Sequence, residues 1–249
     1  MSVEPIVVAG LFLVAVAAGF VDSIAGGGGL LTVPALLAAG LPPATALATN
    51  KAQSTAGALT AATTYARGGA VRPRELWPPI LTTLGGAVVG TVVLTRIDAA
   101  RLEVLLPWLL LTVAGYVAAR PRLGEVATAA RIGPRTYTCT VAPLIGAYDG
   151  FLGPGTGSFF AVTLVGLRGH DLTRATATAK VLNLTSNAAA LTVFAIAGAP
   201  AWTIGLVMAA GQTTGARLGA RSVLRRGSRL VRPALVVVSV ALSVRLLMT

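Results

Sequence analysis

Apolar runs long enough to cross a bilayer constrain this chain more than any other feature. Residues 5–21 (PIVVAGLFLVAVAAGFV), 104–119 and 230–248 each approach the ~20 residues that a helix needs to traverse hydrocarbon. Of the 249 residues, 55% are hydrophobic and only 11% charged, whereas a soluble domain carries roughly 25% charged residues. Too little polar surface exists to cover a particle in water. The fold class is therefore an all-α polytopic membrane protein, with the lipid bilayer as its first partner. Glu4 precedes the first run and no Lys or Arg does, unlike a secretory leader, so residues 5–21 read as a retained span.

A formal net charge of +12 would suggest nucleic acid in a soluble protein. Here the charge is loop arginine, which the positive-inside bias of membrane proteins explains, and no basic-aromatic stretch offers a nucleic-acid platform. Cys139 is the single cysteine; it precludes an internal disulfide and reads as a packing residue. No Cys/His cluster suits a metal, and no cofactor is called for. His170, the lone histidine, sits in a basic loop beside Asp171 without a nucleophile or base to work with. The Gly-x-Gly patterns follow no strand, so a dinucleotide site fails its context test. Nothing supports catalysis.

The chain contains itself twice. Residues 19–31 read GFVDSIAGGGGLL and residues 146–158 read GAYDGFLGPGTGS, aligning Asp22 with Asp149, Gly26 with Gly153 and Gly28 with Gly155. Further on, Ala46, Thr49–Lys51 and Gly69 match Ala175, Thr178–Lys180 and Gly198, and the Gly86/Gly90 pair matches Gly211/Gly215. The organisation is thus a first membrane repeat at 1–120, a basic connecting loop at 121–135 and a second repeat at 136–249.

Long segments are expected at 4–22, 44–66, 76–95, 102–119, 136–152, 172–196, 200–219 and 231–247. Shorter Gly-rich pieces at 24–38 and 156–167 would be about 22 and 18 Å long, too short to cross alone. As re-entrant turns they leave four crossings per half and parallel halves; as completed crossings they give five and inverted halves. Arginines choose between these. With ten segments, Arg67, Arg72, Arg74, Arg120, Arg122, Arg131, Arg135, Arg168, Arg174, Arg217, Arg221, Arg225, Arg226, Arg229 and Arg232 fall on one side, against Arg96 and Arg101 on the other. With eight, the split is nearly even. The expectation is two inverted repeats of about five segments each, with both termini outside.

Glycine and proline at the density of Gly26–Gly29 and Gly153–Gly157 break a helix, since Gly costs roughly 1 kcal/mol and Pro roughly 3 relative to Ala. Open backbone survives in a membrane only where protein buries it or it lines a polar cavity. Such a break aims free N–H groups and a partial positive charge inward, which suits an anion. The competing reading, close helix packing, fits Gly86, Gly90, Gly211, Gly215 and Gly219 better.

Lys51 and Lys180 are repeat equivalents about two turns into their helices. A mid-bilayer lysine costs roughly 2.5–3.5 kcal/mol, although one near a helix end can snorkel. Polar neighbours favour a substrate site: Thr49, Asn50, Gln53 and Ser54 crowd Lys51, while Asn183 and Asn187 share the Lys180 face. Asp22 and Asp149, just before the breaks, have three open roles: helix cap, counter-ion to a lysine, or proton carrier.

The run from Gly19 to Gly29 (G-x-x-D-S-I-A-G-G-G-G), followed by Pro34 and by A-x-x-T-N-K at 46–51, resembles the TauE/SafE sulfite exporter family of permeases. A weaker echo lies at 146–180, where Pro154, Thr156 and Ser158 replace glycines of the pattern. The resemblance implies secondary transport of small sulfur anions (sulfite, thiosulfate or sulfonates) across the bacterial inner membrane. Lys51, Lys180, Thr49, Asn50, Gln53, Asn183 and the backbone at Gly27, Gly28, Gly29, Gly155 and Gly157 are the expected substrate groups, with Asp22 and Asp149 coupling or capping. An anion channel of the same architecture and a non-transporting scaffold are the rival classes. A homodimer is compatible with a chain of this size, though no residue calls for one.

Overall fold

The computed structural model describes residues 4–98 and 129–227. The spans expected at 102–119 and 231–247, and the first part of the connecting loop, lie outside the described residues, as do Arg101, Arg120, Arg122, Arg229 and Arg232. Among the described residues every regular element is helical. The helices are α1 (Pro5–Ala25), α2 (Gly29–Ala38), α3 (Pro43–Arg67), α4 (Trp77–Thr95), α5 (Ala142–Phe151), α6 (Thr156–Gly166), α7 (Leu172–Ile196) and α8 (Trp202–Arg226). A short 3-10 turn (Pro73–Leu76) leads into α4, and a π turn (Tyr137–Val141) leads into α5.

Local chemistry accounts for the boundaries. Pro5 and Pro43 open α1 and α3, where a missing N–H costs nothing. Gly69 and its repeat equivalent Gly198 both take positive φ, at 74° and 67°. Each lets the following N–H reach back to a carbonyl one turn inside the helix, Ala70 to Tyr65 and Ala199 to Phe194, both at 3.0 Å.

The longest packed pairs are α1 along α8 and α4 along α5, each joining one half to the other. Small residues permit this. A Cβ at Gly215 would overlap the Val16 carbonyl, and one at Gly90 the Ala147 carbonyl. The packing reading of these glycines therefore holds. α3 lies against α7 at the centre.

Three buried clusters fix which helix ends lie together. The largest joins Tyr65 of α3, Tyr137 before α5, Leu164 of α6, Leu172 of α7 and Val223 of α8, with Leu76 and Ile80 packed on it. The other two join Leu11 of α1, Leu36 of α2, Ala46 and Leu47 of α3, Leu94 of α4, Phe194 of α7 and Ile204 of α8. Thus α1, α3, α6 and α8 run toward the first end, whereas α2, α4, α5 and α7 run away from it. Every arginine of the described residues except Arg96 flanks that first end.

The outside is apolar: Leu13, Leu59, Leu81, Val89, Leu144 and Leu206 are exposed. Trp77 and Trp202, at the starts of α4 and α8, are exposed at opposite ends, as interfacial anchors are. Three helices among the described residues are long and apolar enough to cross a membrane: Pro5–Ala25, Pro73–Thr95 and Leu172–Ile196. The expected segments 44–66 and 200–219 exist as α3 and α8, but fall short in apolarity. α3 turns Thr49, Asn50, Lys51 and Gln53 into the protein, and α8 ends in Arg217, Arg221, Arg225 and Arg226. Cys139 corrects the sequence reading: it lies on the π turn and is exposed rather than packed.

Candidate functional site: two crossed ion pairs around a polar cavity

The two helix breaks touch. Gly26 ends α1 at φ 74°, and a Cβ there would overlap the backbone of Gly157 and Ser158 at the start of α6. Ser158 Oγ donates to the carbonyls of Ala25 (2.8 Å) and Gly26 (3.1 Å), binding one break to the other.

The lysines cross between halves. Lys51 of α3 donates to Asp149 Oδ1 of α5 at 2.5 Å, and both side chains are 1% exposed. Lys180 of α7 donates to Asp22 Oδ2 of α1 at 2.8 Å, with 1% and 14% exposure. Each lysine therefore finds its counter-ion in the other half. Glycine makes room for both: a Cβ at Gly153 would lie 2.5 Å from Lys51 Nζ, and one at Gly157 would lie 2.9 Å from Lys180 Nζ.

The carboxylates are satisfied differently. Asp22 Oδ1 accepts from the N–H groups of Gly27 and Gly28, both at 3.1 Å, at the opening of α2. Asp149 Oδ2 accepts from Asn183 Nδ2 at 3.0 Å and from the Ser186 hydroxyl. Lys51 is shared further with the Asp149 carbonyl (2.5 Å) and Asn187 Oδ1 (3.2 Å).

Between the breaks lies a polar cavity lined by Asp22, Asn50, Ser54, Thr156, Asn183 and Asn187 and by Gly27, Gly29, Gly153, Gly155 and Gly157. It has space for about one water-sized molecule. Thr32, Gln53 and Ser54 all donate to Asn50 Oδ1, at 2.6, 3.1 and 3.4 Å, which leaves the amide N–H groups of Asn50 for the cavity.

The sulfite exporter TauE/SafE family model matches residues 11–246. The chain belongs to the TauE/SafE family. Its relatives include "Probable membrane transporter protein ORF9" of Sinorhizobium sp, 46% identical over 95% of this chain and 91% of that one. A "Probable membrane transporter protein" of Haemophilus influenzae is 42% identical over 95% and 92%, and YfcA of Escherichia coli K12, described in the same words, is 43% identical over 98% and 91%. No solved structure matches. TauE/SafE is a membrane-transporter family rather than an enzyme family.

In this TauE/SafE chain Gly27, Gly29, Asn50, Asn183, Gly155, Gly157 and Asp22 line one cavity. Lys51, Lys180 and Asp149 stand behind its wall, their charges matched in pairs. Thr49 lies apart, its hydroxyl accepting from Ala201 N at 2.9 Å and so fixing the entry to α8. Gln53 is buried behind Asn50, its Oε1 without a hydrogen-bond partner among the described residues. The N–H groups of Gly27 and Gly28 are not open, as the sequence suggested; Asp22 holds them. Ser186 was missed, because a serine inside a helix ordinarily bonds its own backbone, and it does that here as well.

Proposed function

We propose that this protein is a secondary transporter of small sulfur-containing anions (sulfite, thiosulfate or a sulfonate) in the bacterial inner membrane. The observation that carries the reading is the polar cavity where the two helix breaks meet, bounded by amide side chains and the backbone of both breaks and backed by two buried lysines. Such a surface replaces the hydration of an oxyanion with fixed donors. Admitting a sulfur oxyanion requires the two breaks to part, which is the motion of alternating access.

The halves are inverted repeats. Support comes from helix directions: α1 and α5, α2 and α6, α3 and α7, α4 and α8 are the repeat equivalents, and each pair runs oppositely. The arginine-flanked end is cytoplasmic and the N-terminus is outside. Substituted cysteines test this. In a Cys139→Ser background, Ala70→Cys should be labelled only from the cytoplasm and Ala199→Cys only from outside; labelling from one side for both sinks the inversion.

Ligand-induced thermal stabilisation of the purified protein tests the function, with sulfite, thiosulfate, sulfate, sulfoacetate and taurine as the panel. A ligand at 100 times its Kd should add about 2.7 kcal/mol of stability. A rise for a sulfur anion that is lost in Asn50→Ala supports the reading. No rise from any of the five overturns the substrate class.

A further inference from the structure

The Asp22 carboxylate occupies a ready-made oxyanion grip. One ammonium and two successive backbone N–H groups at the opening of a helix are the donors that hold small oxyanions, and here Lys180, Gly27 and Gly28 all point at Asp22. The carboxylate also lines the cavity and is 14% exposed, so water reaches it, whereas Asp149 is 1% exposed and is not part of the cavity wall.

We propose that Asp22 is the proton-coupling group of transport: it competes with the substrate anion for Lys180 and the Gly27–Gly28 N–H groups, so that each anion moves together with a proton. This rests on the transport reading above and adds its coupling. In the empty site the Asp22 carboxylate balances Lys180. A proton from water on the open side converts it to the neutral acid, and the arriving anion takes its place as the counter-charge. On the other side the anion leaves, the proton passes to water, and the carboxylate returns to Lys180. The ammonium is never left bare, and the Asp22 carboxylate and the substrate never claim it together; with a dianion such as thiosulfate the loaded site keeps one negative charge in excess. For a monoanion the cycle moves no net charge.

The surroundings fit a carboxylate that exchanges its proton with the cavity alone. From α7 it meets Lys180. From α3, Tyr65 donates its hydroxyl to the Ser23 carbonyl at 2.7 Å, and Lys51 is held by Asp149 of α5. α2 offers only backbone N–H groups, and α6 offers Gly157 and Ser158. α8 packs on this part of α1 through Gly215 and Gly219, its Arg217 and Arg221 being exposed outside.

The test uses thiosulfate, whose own charge stays constant around neutral pH, with the purified full-length chain. Wild-type protein in weak buffer should take up about one proton per thiosulfate bound, and its Kd should rise toward about tenfold per pH unit above neutrality. Asp22→Asn should bind thiosulfate with a pH-independent Kd and no proton uptake. In proteoliposomes that variant should keep thiosulfate exchange and lose accumulation driven by a pH gradient. PH-independent binding without proton uptake by the wild type overturns the proposal while leaving transport intact, and this arm needs no variant to fold. Proton uptake that persists in Asp22→Asn overturns the assignment to Asp22. Failure of thiosulfate to bind at any pH, together with silence from the other four anions, takes down the sulfur-anion reading and this proposal together.

Discussion

Lys51 meets Asp149 in a dry interior, whereas Lys180 meets Asp22 at the wall of a cavity. The same two residue types, placed at equivalent positions of a repeated sequence, thus make one sealed pair and one wet one. The backbone donors of the two breaks differ. In the first half Gly27 supplies an N–H to its own aspartate. The equivalent position in the second half is Pro154, which has none. Two side chains compensate, Asn183 and Ser186, at positions where the first half has Ser54 and Gly57. The space over Gly57 is filled instead by the Gln212 side chain. Side-chain donors from a neighbouring helix bury a carboxylate; backbone donors in a break leave it beside the opening. The two halves therefore hold one sealed ion pair and one that faces the cavity.

The largest effect should come from breaking the sealed pair. Asp149→Asn leaves a buried ammonium unmatched and should cost about 3–5 kcal/mol, read as a fall in thermal unfolding temperature in detergent. Asp22→Asn should cost less, about 1–3 kcal/mol, because water reaches the site and compensates. Equal losses would erase the distinction between the pairs. Next in size is Ser186→Ala, which removes one donor from a charged acceptor and should cost about 1.5–3 kcal/mol. The smallest change is Pro154→Gly. Alone it should cost about 0.4–1 kcal/mol through the unfolded chain. In a Ser186→Ala background it should cost nothing further or restore stability, because a backbone N–H becomes available to Asp149. Strict additivity in that double variant would show that Pro154 does not explain the side-chain donors.

Much of the helix layout was legible, for reasons that lie in individual residues. Pro5, Pro43, Gly69 and Gly198 are punctuation whose meaning is local, so the ends they set needed no knowledge of neighbours. The glycines of α4 and α8 were likewise readable as packing, since a repeated Gly-x-x-x-Gly has few other uses. What could not be read was who pairs with whom. Lys51 and Asn50 share a helix with Asp149 nowhere near in sequence, 98 residues away, and only the crossing of the halves brings them together. Counter-ion was one of the open roles for both aspartates, but nothing in a single repeat says that the partner lies in the other. The missing clue was present as a departure: Pro154 in place of a glycine, coupled to Asn183 and Ser186 four helical turns into α7 or less. Comparing the repeats for what each lacks, as well as for what they share, would have exposed it.

Crossed pairing also sets an order in time. A ribosome adding about 5–20 residues per second delivers Lys51 to the membrane some 98 residues before Asp149, and Asp22 some 158 residues before Lys180. For roughly 5–30 seconds the nascent first half therefore carries an acid and an amine whose partners have not yet been made. Each costs about 2.5–3.5 kcal/mol if stranded in lipid. The first half has reason to wait beside the insertion machinery, or to shield Asp22 and Lys51 against each other, until the second half arrives to relieve both.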